Sequence, residues 1–238
     1  MSDIKGRIHS FQSLGAVDGP GIRYVIFMQG CPYRCPYCHN PDTKPFSGGT
    51  LYTADEIVER VKRYKSYFGD EGGVTVSGGE PLMQAEFLCE LFDRLHACGI
   101  NTAIDTAGVM PTEQIRRVIE RTDTVLCDIK FPSDSQYRSH VGLGLDALRA
   151  FIALCNECGR NVIVRHVVVP GMTDSEESIR AVYELASEVK HLKRIELLPF
   201  RKLCTEKYDK LGIPFPLADT PECTAETIER LYALLGNK

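Results

Sequence analysis

An α/β fold with a mainly parallel sheet is predicted by three observations. Six short apolar runs are each followed by an amphipathic stretch, after one early loop. The runs have strand length and the stretches helix length. Cap and turn residues separate them, and no composition shift marks a second domain. Six βα units fall short of the eight in a closed barrel. The arrangement is therefore an open, partial (β/α)6 TIM-like barrel or a doubly wound sheet, as one domain over residues 1–238.

The elements follow in order. Ile22 to Met28 reads as a buried strand. Thr53, with Glu56 three residues on, is a capping box that opens a helix running towards Phe68. Gly73 to Ser77 is the second strand. Ala85 to Cys98 is a helix stopped by Gly99. Ile100 to Asp105 is a strand, Thr112 to Arg121 a helix and Thr124 to Ile129 a strand. Leu143 to Cys158 is a helix stopped by Gly159. Val162 to Val169 is a strand ended by Pro170-Gly171. A helix from Ser175 to Val189, a strand from Arg194 to Leu198 and a helix from Thr224 to Leu235 complete the chain.

Composition narrows the function. The chain has 238 residues, 43% of them apolar, and a net charge of −4, which gives no footprint for nucleic acid. No apolar run reaches the length of a bilayer span. The first six residues, Met1 to Gly6, lack a signal-peptide core, so a cytoplasmic protein is expected. Ten cysteines in such a compartment mean reduced thiols and a metal site. Seven of them are scattered and read as small apolar residues, Cys155-x-x-Cys158 on its helix included.

The other three lie within eight residues, Cys31-Pro-Tyr-Arg-Cys35-Pro-Tyr-Cys38. Thiolates are soft ligands suited to iron–sulfur or zinc. Zinc with His39 as fourth ligand is one reading, although adjacent Cys38 and His39 can hardly reach the same ion. Three cysteines on a four-iron cluster leave one iron open to chemistry. Further polar features fall at carboxyl ends of predicted strands, where parallel sheets carry their sites. They are Gly78-Gly79-Glu80, Asp105-Thr106, Asp128-Ile129-Lys130, the strand residues Arg165 and His166, and Arg201. Oxygen donors such as Asp105, Thr106 and Asp128 suit a hard cation. Asp105-Thr106 could equally cap the next segment.

The spacing C-x3-C-x-aromatic-C, with Tyr37 as the aromatic, resembles the signature of radical S-adenosylmethionine enzymes. That resemblance implies one 4Fe-4S cluster on Cys31, Cys35 and Cys38. S-adenosylmethionine chelates the open iron, and an electron cleaves its sulfonium to give a 5′-deoxyadenosyl radical. Gly78-Gly79-Glu80 is similar to that superfamily's glycine-rich strand end, where backbone approaches the methionine amino group. Asp18-Gly-Pro-Gly-Ile-Arg23, Cys38-His-Asn-Pro41, Val167-Val-Val-Pro-Gly171, Glu196-Leu-Leu-Pro199 and Gly6-Arg-Ile-His-Ser-Phe11 narrow the match. They resemble the glycyl-radical-enzyme activases, in the branch acting on pyruvate formate-lyase, along nearly the whole chain.

The resemblance implies abstraction of a Cα hydrogen from a glycine of pyruvate formate-lyase, within the open barrel. A reduced flavodoxin or ferredoxin would supply the electron, and a monomer would dock its partner on the rim. Cofactor contacts are implied for Tyr37, Cys38, His39, Gly78, Gly79, Glu80, Asp128, Ile129, Lys130 and Arg201. Asp105, Thr106 and Asp128 would hold a monovalent cation. Asp18, His39 and Arg165 would line the mouth for the substrate peptide. Arg201 departs from the family, which has histidine there; arginine can still donate hydrogen bonds or stack on adenine. No cysteine lies between Cys38 and Cys89, so one cluster is expected. The alternatives are a radical enzyme acting on a small molecule, and a non-catalytic metal-binding or electron-transfer module.

Overall fold

The computed structural model describes residues 4–235. One eight-stranded sheet organises them, in the order β3-β1-β2-β4-β5-β6-β7-β8. Six strands run parallel: β2 (Arg23–Met28), β4 (Gly73–Gly78), β5 (Asn101–Thr106), β6 (Thr124–Asp128), β7 (Asn161–Val168) and β8 (Leu192–Pro199). These are the six expected strands. β3 and β8 stand at opposite ends of the strand order, so the sheet is not closed. The open barrel is the alternative realised.

Two antiparallel strands extend the sheet beyond β2. β1 (Lys5–Gly15) pairs with β2, and β3 (Thr50–Thr53) pairs with the start of β1. Neither was expected. β1 carries register shifts between Ile8 and Ser10 and between Gln12 and Gly15. Such irregularities break the strict alternation by which a half-buried strand is recognised.

Helices cover the outer face of the parallel strands. They are α1 (Ala54–Lys62), α2 (Ala85–Ala97), α3 (Glu113–Ile119), the single turn α4 (Asp134–Gln136), α5 (Leu145–Glu157), α6 (Glu176–Ser187), α7 (Thr205–Leu211) and α8 (Ala225–Leu235). The Thr53 capping box is formed, with Glu56 N donating to Thr53 Oγ1 and Thr53 N to Glu56 Oε2. The helix it opens ends at Lys62, short of Phe68, and residues 65–67 make a separate 3₁₀ turn. Thr112 and Ser175 cap α3 and α6 as their sequence positions predict. Gly99 and Gly159 both take φ of +63° just past α2 and α5, the left-handed stop that favours glycine.

The core lies between sheet and helices. Tyr24, Ile26 and Met28 of β2 join Val74 and Val76 of β4, Ile57 and Val61 of α1, and Leu88, Leu91 and Phe92 of α2. The opposite face of the strands lines the inside of the open barrel. Arg23 is fully buried at the amino end of β2. Its guanidinium donates to Thr75 Oγ1 at 2.9 Å, Asn101 Oδ1 at 2.9 Å and the carbonyls of Val74, Glu71 and Pro20. That one side chain ties the β1–β2 turn to the starts of β4 and β5, which sets the floor beneath the site.

Candidate active site

The cysteine loop follows β2 and is fixed at several points. Gly30 N donates to Thr43 O at 2.7 Å and Cys31 N to Lys44 O at 3.0 Å, closing the loop on itself. Tyr33 Oη donates to Gly108 O at 2.7 Å, beyond β5. Tyr208 of α7 donates to Cys38 O at 3.2 Å, and His39 Nε2 donates to Arg201 O at 2.9 Å. The three thiols line one cavity of about 310 Å³ at the carboxyl ends of the strands. No other cysteine lines it. Burial pushes the Cys31 thiol up to about 12 and raises that of Cys35.

The donor set fits a cluster. Among the described residues, no three His, Cys, Asp or Glu side chains converge closely enough to share a single ion. A tetrahedral zinc site needs its ligands to converge at about 2.3 Å from the metal. Three soft thiol donors on one cavity would suit an iron–sulfur cluster held by Cys31, Cys35 and Cys38.

Gly78 and Gly79 end β4 on the same cavity. Gly78 takes φ of +101°, and a Cβ there would stand 2.6 Å from Met28 N. A Cβ on Gly79 would stand 2.3 Å from Gly30 O. In place of side chains, Gly79 N donates to Met28 O and Glu80 N to Gly30 O, each at 2.9 Å. Gly78 is thus needed for β4 to lie tight against the end of β2, and Gly79 for it to pass the start of the cysteine loop, a reason the ligand-approach reading did not contain.

Glu80 turns its carboxylate inward, 2% exposed. It accepts from Thr106 Oγ1 at 2.7 Å, Leu82 N at 3.1 Å and Ala107 N at 3.1 Å. Burial pushes its carboxyl up to about 7, against the pull of these donors. Glu80 therefore locks the ends of β4 and β5 together at the cavity wall.

Further charged groups face the cavity, among them Asp105, Asp128, Lys130 and Arg165. Asp105 Oδ2 accepts from Ser77 Oγ at 2.7 Å and lies 3.5 Å from Arg165 Nη1. Asp105 Oδ1 is buried without a hydrogen-bond partner. Asp128 pairs with Lys130 Nζ at 2.5 Å and lies 3.9 Å from Arg165 Nε. Burial works against the Lys130 ammonium, yet Asp128, with Cys35, Tyr37 and Asp105, holds it well above the ordinary lysine range. Burial likewise raises the Asp105 and Asp18 carboxyls, while Arg165 pulls both down.

The stretch carrying Asp128 and Lys130 is clamped from three sides. Tyr37 Oη donates to Lys130 O at 2.7 Å, and Lys130 N donates to Tyr137 Oη at 2.8 Å. His166 Nδ1 donates to Ile129 O at 2.6 Å. Tyr137 opens a π-helical turn, Tyr137–Val141. That turn also accepts from the cysteine loop, through Arg34 N to Val141 O and Arg34 Nη2 to Arg138 O. Sequence reasoning missed Tyr137 and Tyr33, because their value lies in hydroxyls that reach distant backbone.

Most residues singled out in the sequence meet here. Asp18, Cys31, Cys35, Tyr37, Cys38, His39, Gly78, Gly79, Glu80, Asp105, Thr106, Asp128, Lys130 and Arg165 all line the cavity. Thr106 spends its hydroxyl proton on Glu80 while accepting from Gly108 N at 3.0 Å. Three residues stand apart, the first being His166, buried and absent from the lining with its Nδ1 on Ile129 O. The Ile129 side chain is fully buried and absent from the lining. Arg201 is turned away, donating to Cys223 O at 2.6 Å with Glu222 at 3.7 Å. The acceptors at 222–223 hold its guanidinium off the cavity.

The chain matches the model of the family described as the radical SAM superfamily over residues 25–183. It is 42% identical over 233 residues to a pyruvate formate-lyase-activating enzyme of Clostridium pasteurianum, covering 98% of each chain. It is 37% identical to the enzyme of that name from Streptococcus mutans, covering 98% of this chain and 91% of the relative. Among solved structures, it is similar to a domain of pyruvate-formate lyase-activating enzyme from Bacteroides vulgatus, with a TM-score of 0.57 and 24% identity. That match covers 69% of this chain and 92% of the other. A radical SAM methyltransferase from Sphaerobacter thermophilus matches with a TM-score of 0.59 and 19% identity, covering 90% of this chain and 63% of the other. These structural likenesses show the fold.

Proposed function

Because the chain belongs to the radical SAM superfamily, and within it to the pyruvate formate-lyase-activating enzymes, we propose that it installs a radical on a glycine of pyruvate formate-lyase. The observation carrying this reading is the convergence of three cysteines, Gly78 to Glu80 and the Asp105, Asp128, Lys130 and Arg165 set on one cavity. When bound, a 4Fe-4S cluster would supply the one electron consumed in cleaving S-adenosylmethionine to methionine and a 5′-deoxyadenosyl radical able to take a hydrogen atom.

The chain's own residues do the rest. Cys31, Cys35 and Cys38 hold the cluster. Lys130 offers an ammonium for an anionic or ribose oxygen of the cofactor, and the free Oδ1 of Asp105 offers an acceptor for a cation or an amino group. The Thr106 hydroxyl already donates its hydrogen bond to Glu80, so in a cation site with Asp105 and Asp128 it would act through oxygen lone pairs. Tyr37, Tyr137 and His166 keep the 128–130 stretch from shifting as charge is introduced. Asp18, His39 and Arg165 line the cavity, and in this reading they meet the substrate segment. A reduced flavodoxin or ferredoxin serves as electron donor in this reading, and a monomeric chain leaves the mouth free for its partner. No described helix is long and apolar enough to cross a membrane.

The test is anaerobic reconstitution with iron and sulfide, followed by S-adenosylmethionine, a reductant and pyruvate formate-lyase. A glycyl radical signal in electron paramagnetic resonance supports the reading. An intact cluster that yields no such signal overturns it.

A further inference from the structure

β1 is paired along one edge for only part of its length. β3 pairs with Lys5, Gly6, Arg7 and Ile8. β2 pairs along the other edge, from Ile8 to Gly15. Beyond Ile8, the outer edge of β1 carries no strand among the described residues. Ser10, Gln12 and Ser13 there are polar, which suits an edge that must not recruit chains at random, while Phe11 between them packs its ring on Tyr24 and Tyr52. Leu14, at φ of 59°, ends the regular stretch.

A groove of about 540 Å³ lies beside this edge. Residues 10–13 line it in unbroken succession, with Phe27, Asn40 and Lys207. Successive strand residues point to opposite faces. A groove touching four in a row therefore reaches the strand's backbone as well as its side chains, and Phe27, the β2 partner of Ser10, extends its wall onto β2. The far wall is tied in place: Lys207 Nζ donates to Asn40 Oδ1 at 2.7 Å and stands 3.4 Å from Asp42. Asp42 in turn stands 3.3 Å from His9 Nε2. Phe27 and Asn40 line both this groove and the catalytic cavity, so the two adjoin.

The activase reading, on which this inference rests, gives that adjacency a use. The reacting residue is a glycine, which has no side chain to grip. Its position and the direction of its Cα hydrogens can be set only through the main chain and the neighbouring residues. Strand addition binds main chain directly and fixes the orientation of each Cα. We propose that the glycine-bearing segment of the partner adds as a strand to the free edge of β1 at residues 9–13, and passes from the groove into the cavity.

The experiment uses the full cluster-loaded chain, S-adenosylmethionine and a seven-residue synthetic peptide centred on the partner's radical-bearing glycine. Each backbone nitrogen of the peptide, other than that of the glycine, is methylated in turn. Strand pairing predicts a period of two: N-methylation at alternate positions weakens binding about tenfold, and the intervening positions tolerate it. Hydrogen exchange on the unmodified complex then shows slowed amides within residues 9–13. Radical formation on pyruvate formate-lyase with no slowing at 9–13, or an N-methyl series without alternation, overturns the added strand while leaving the activase reading intact. Absence of any radical on pyruvate formate-lyase faults the activase reading, and this proposal with it.

Discussion

Replacing Glu80 by glutamine removes a titration that the fold imposes. The carboxyl is buried at the crossing of β4 and the cysteine loop, and burial moves it from an ordinary 4.5 to about 7. The folded chain then holds this proton more tightly than the unfolded chain. Stability from this group is therefore fully present below about 4.5 and is lost as pH rises towards 7. The whole shift is worth roughly 3 kcal/mol, and the part falling between pH 5.5 and pH 8 is about 2 kcal/mol. Glutamine keeps an oxygen for Leu82 N and Thr106 Oγ1 but sets an amide N–H against Ala107 N, a conflict of about 1–3 kcal/mol at every pH. At pH 8 the variant also escapes the cost of burying a charge, so the two effects offset. At pH 5.5 only the conflict remains. Urea unfolding of the cluster-free chain at both pH values reads the difference directly. Glu80→Gln should lose about 2 kcal/mol more, relative to the parent, at pH 5.5 than at pH 8. Parallel pH dependence in parent and variant would refute the assignment of this titration to Glu80.

Three further substitutions probe the scaffold around the site. Gly79→Ala places a Cβ 2.3 Å from Gly30 O; it should cost about 2–4 kcal/mol and lower the iron bound per chain, checked by melting and iron assay. Tyr137→Phe deletes the acceptor of the Lys130 amide. It should weaken S-adenosylmethionine binding about fivefold to tenfold at unchanged iron content, and speed hydrogen exchange at Lys130 in the cluster-free chain. Arg23→Met keeps the side chain's bulk but strands the carbonyls of Val74 and Glu71; a loss of about 3–5 kcal/mol in urea unfolding is expected, and parent-like stability would contradict its role as the floor of the barrel.

The parallel half of the fold was legible because its strands are buried on both faces and read as apolar runs, as in Tyr24-Val25-Ile26. β1 was not, because its bulges scatter Ser10, Gln12 and Ser13 among apolar neighbours. α7 was not either: within it only Tyr208 is buried, too little for an apolar stripe. Site residues at strand ends could be named because parallel topology collects them on one rim. The direction of Arg201 could not, since its acceptors lie at Glu222 and Cys223, some twenty residues on. Nor could the purpose of Gly78 and Gly79, which depends on the end of β2 and the start of the cysteine loop lying against them.

Deuterium tracing bears most directly on the claim that this chain draws a hydrogen atom from a glycine of its partner. Pyruvate formate-lyase is prepared with Cα-dideuterated glycine and incubated anaerobically with the cluster-loaded chain, S-adenosylmethionine and a reductant. The 5′-deoxyadenosine formed is then weighed by mass spectrometry. One deuterium per molecule is the predicted result, in step with the glycyl radical. Unlabelled 5′-deoxyadenosine, released while the partner keeps both deuterons, would contradict it.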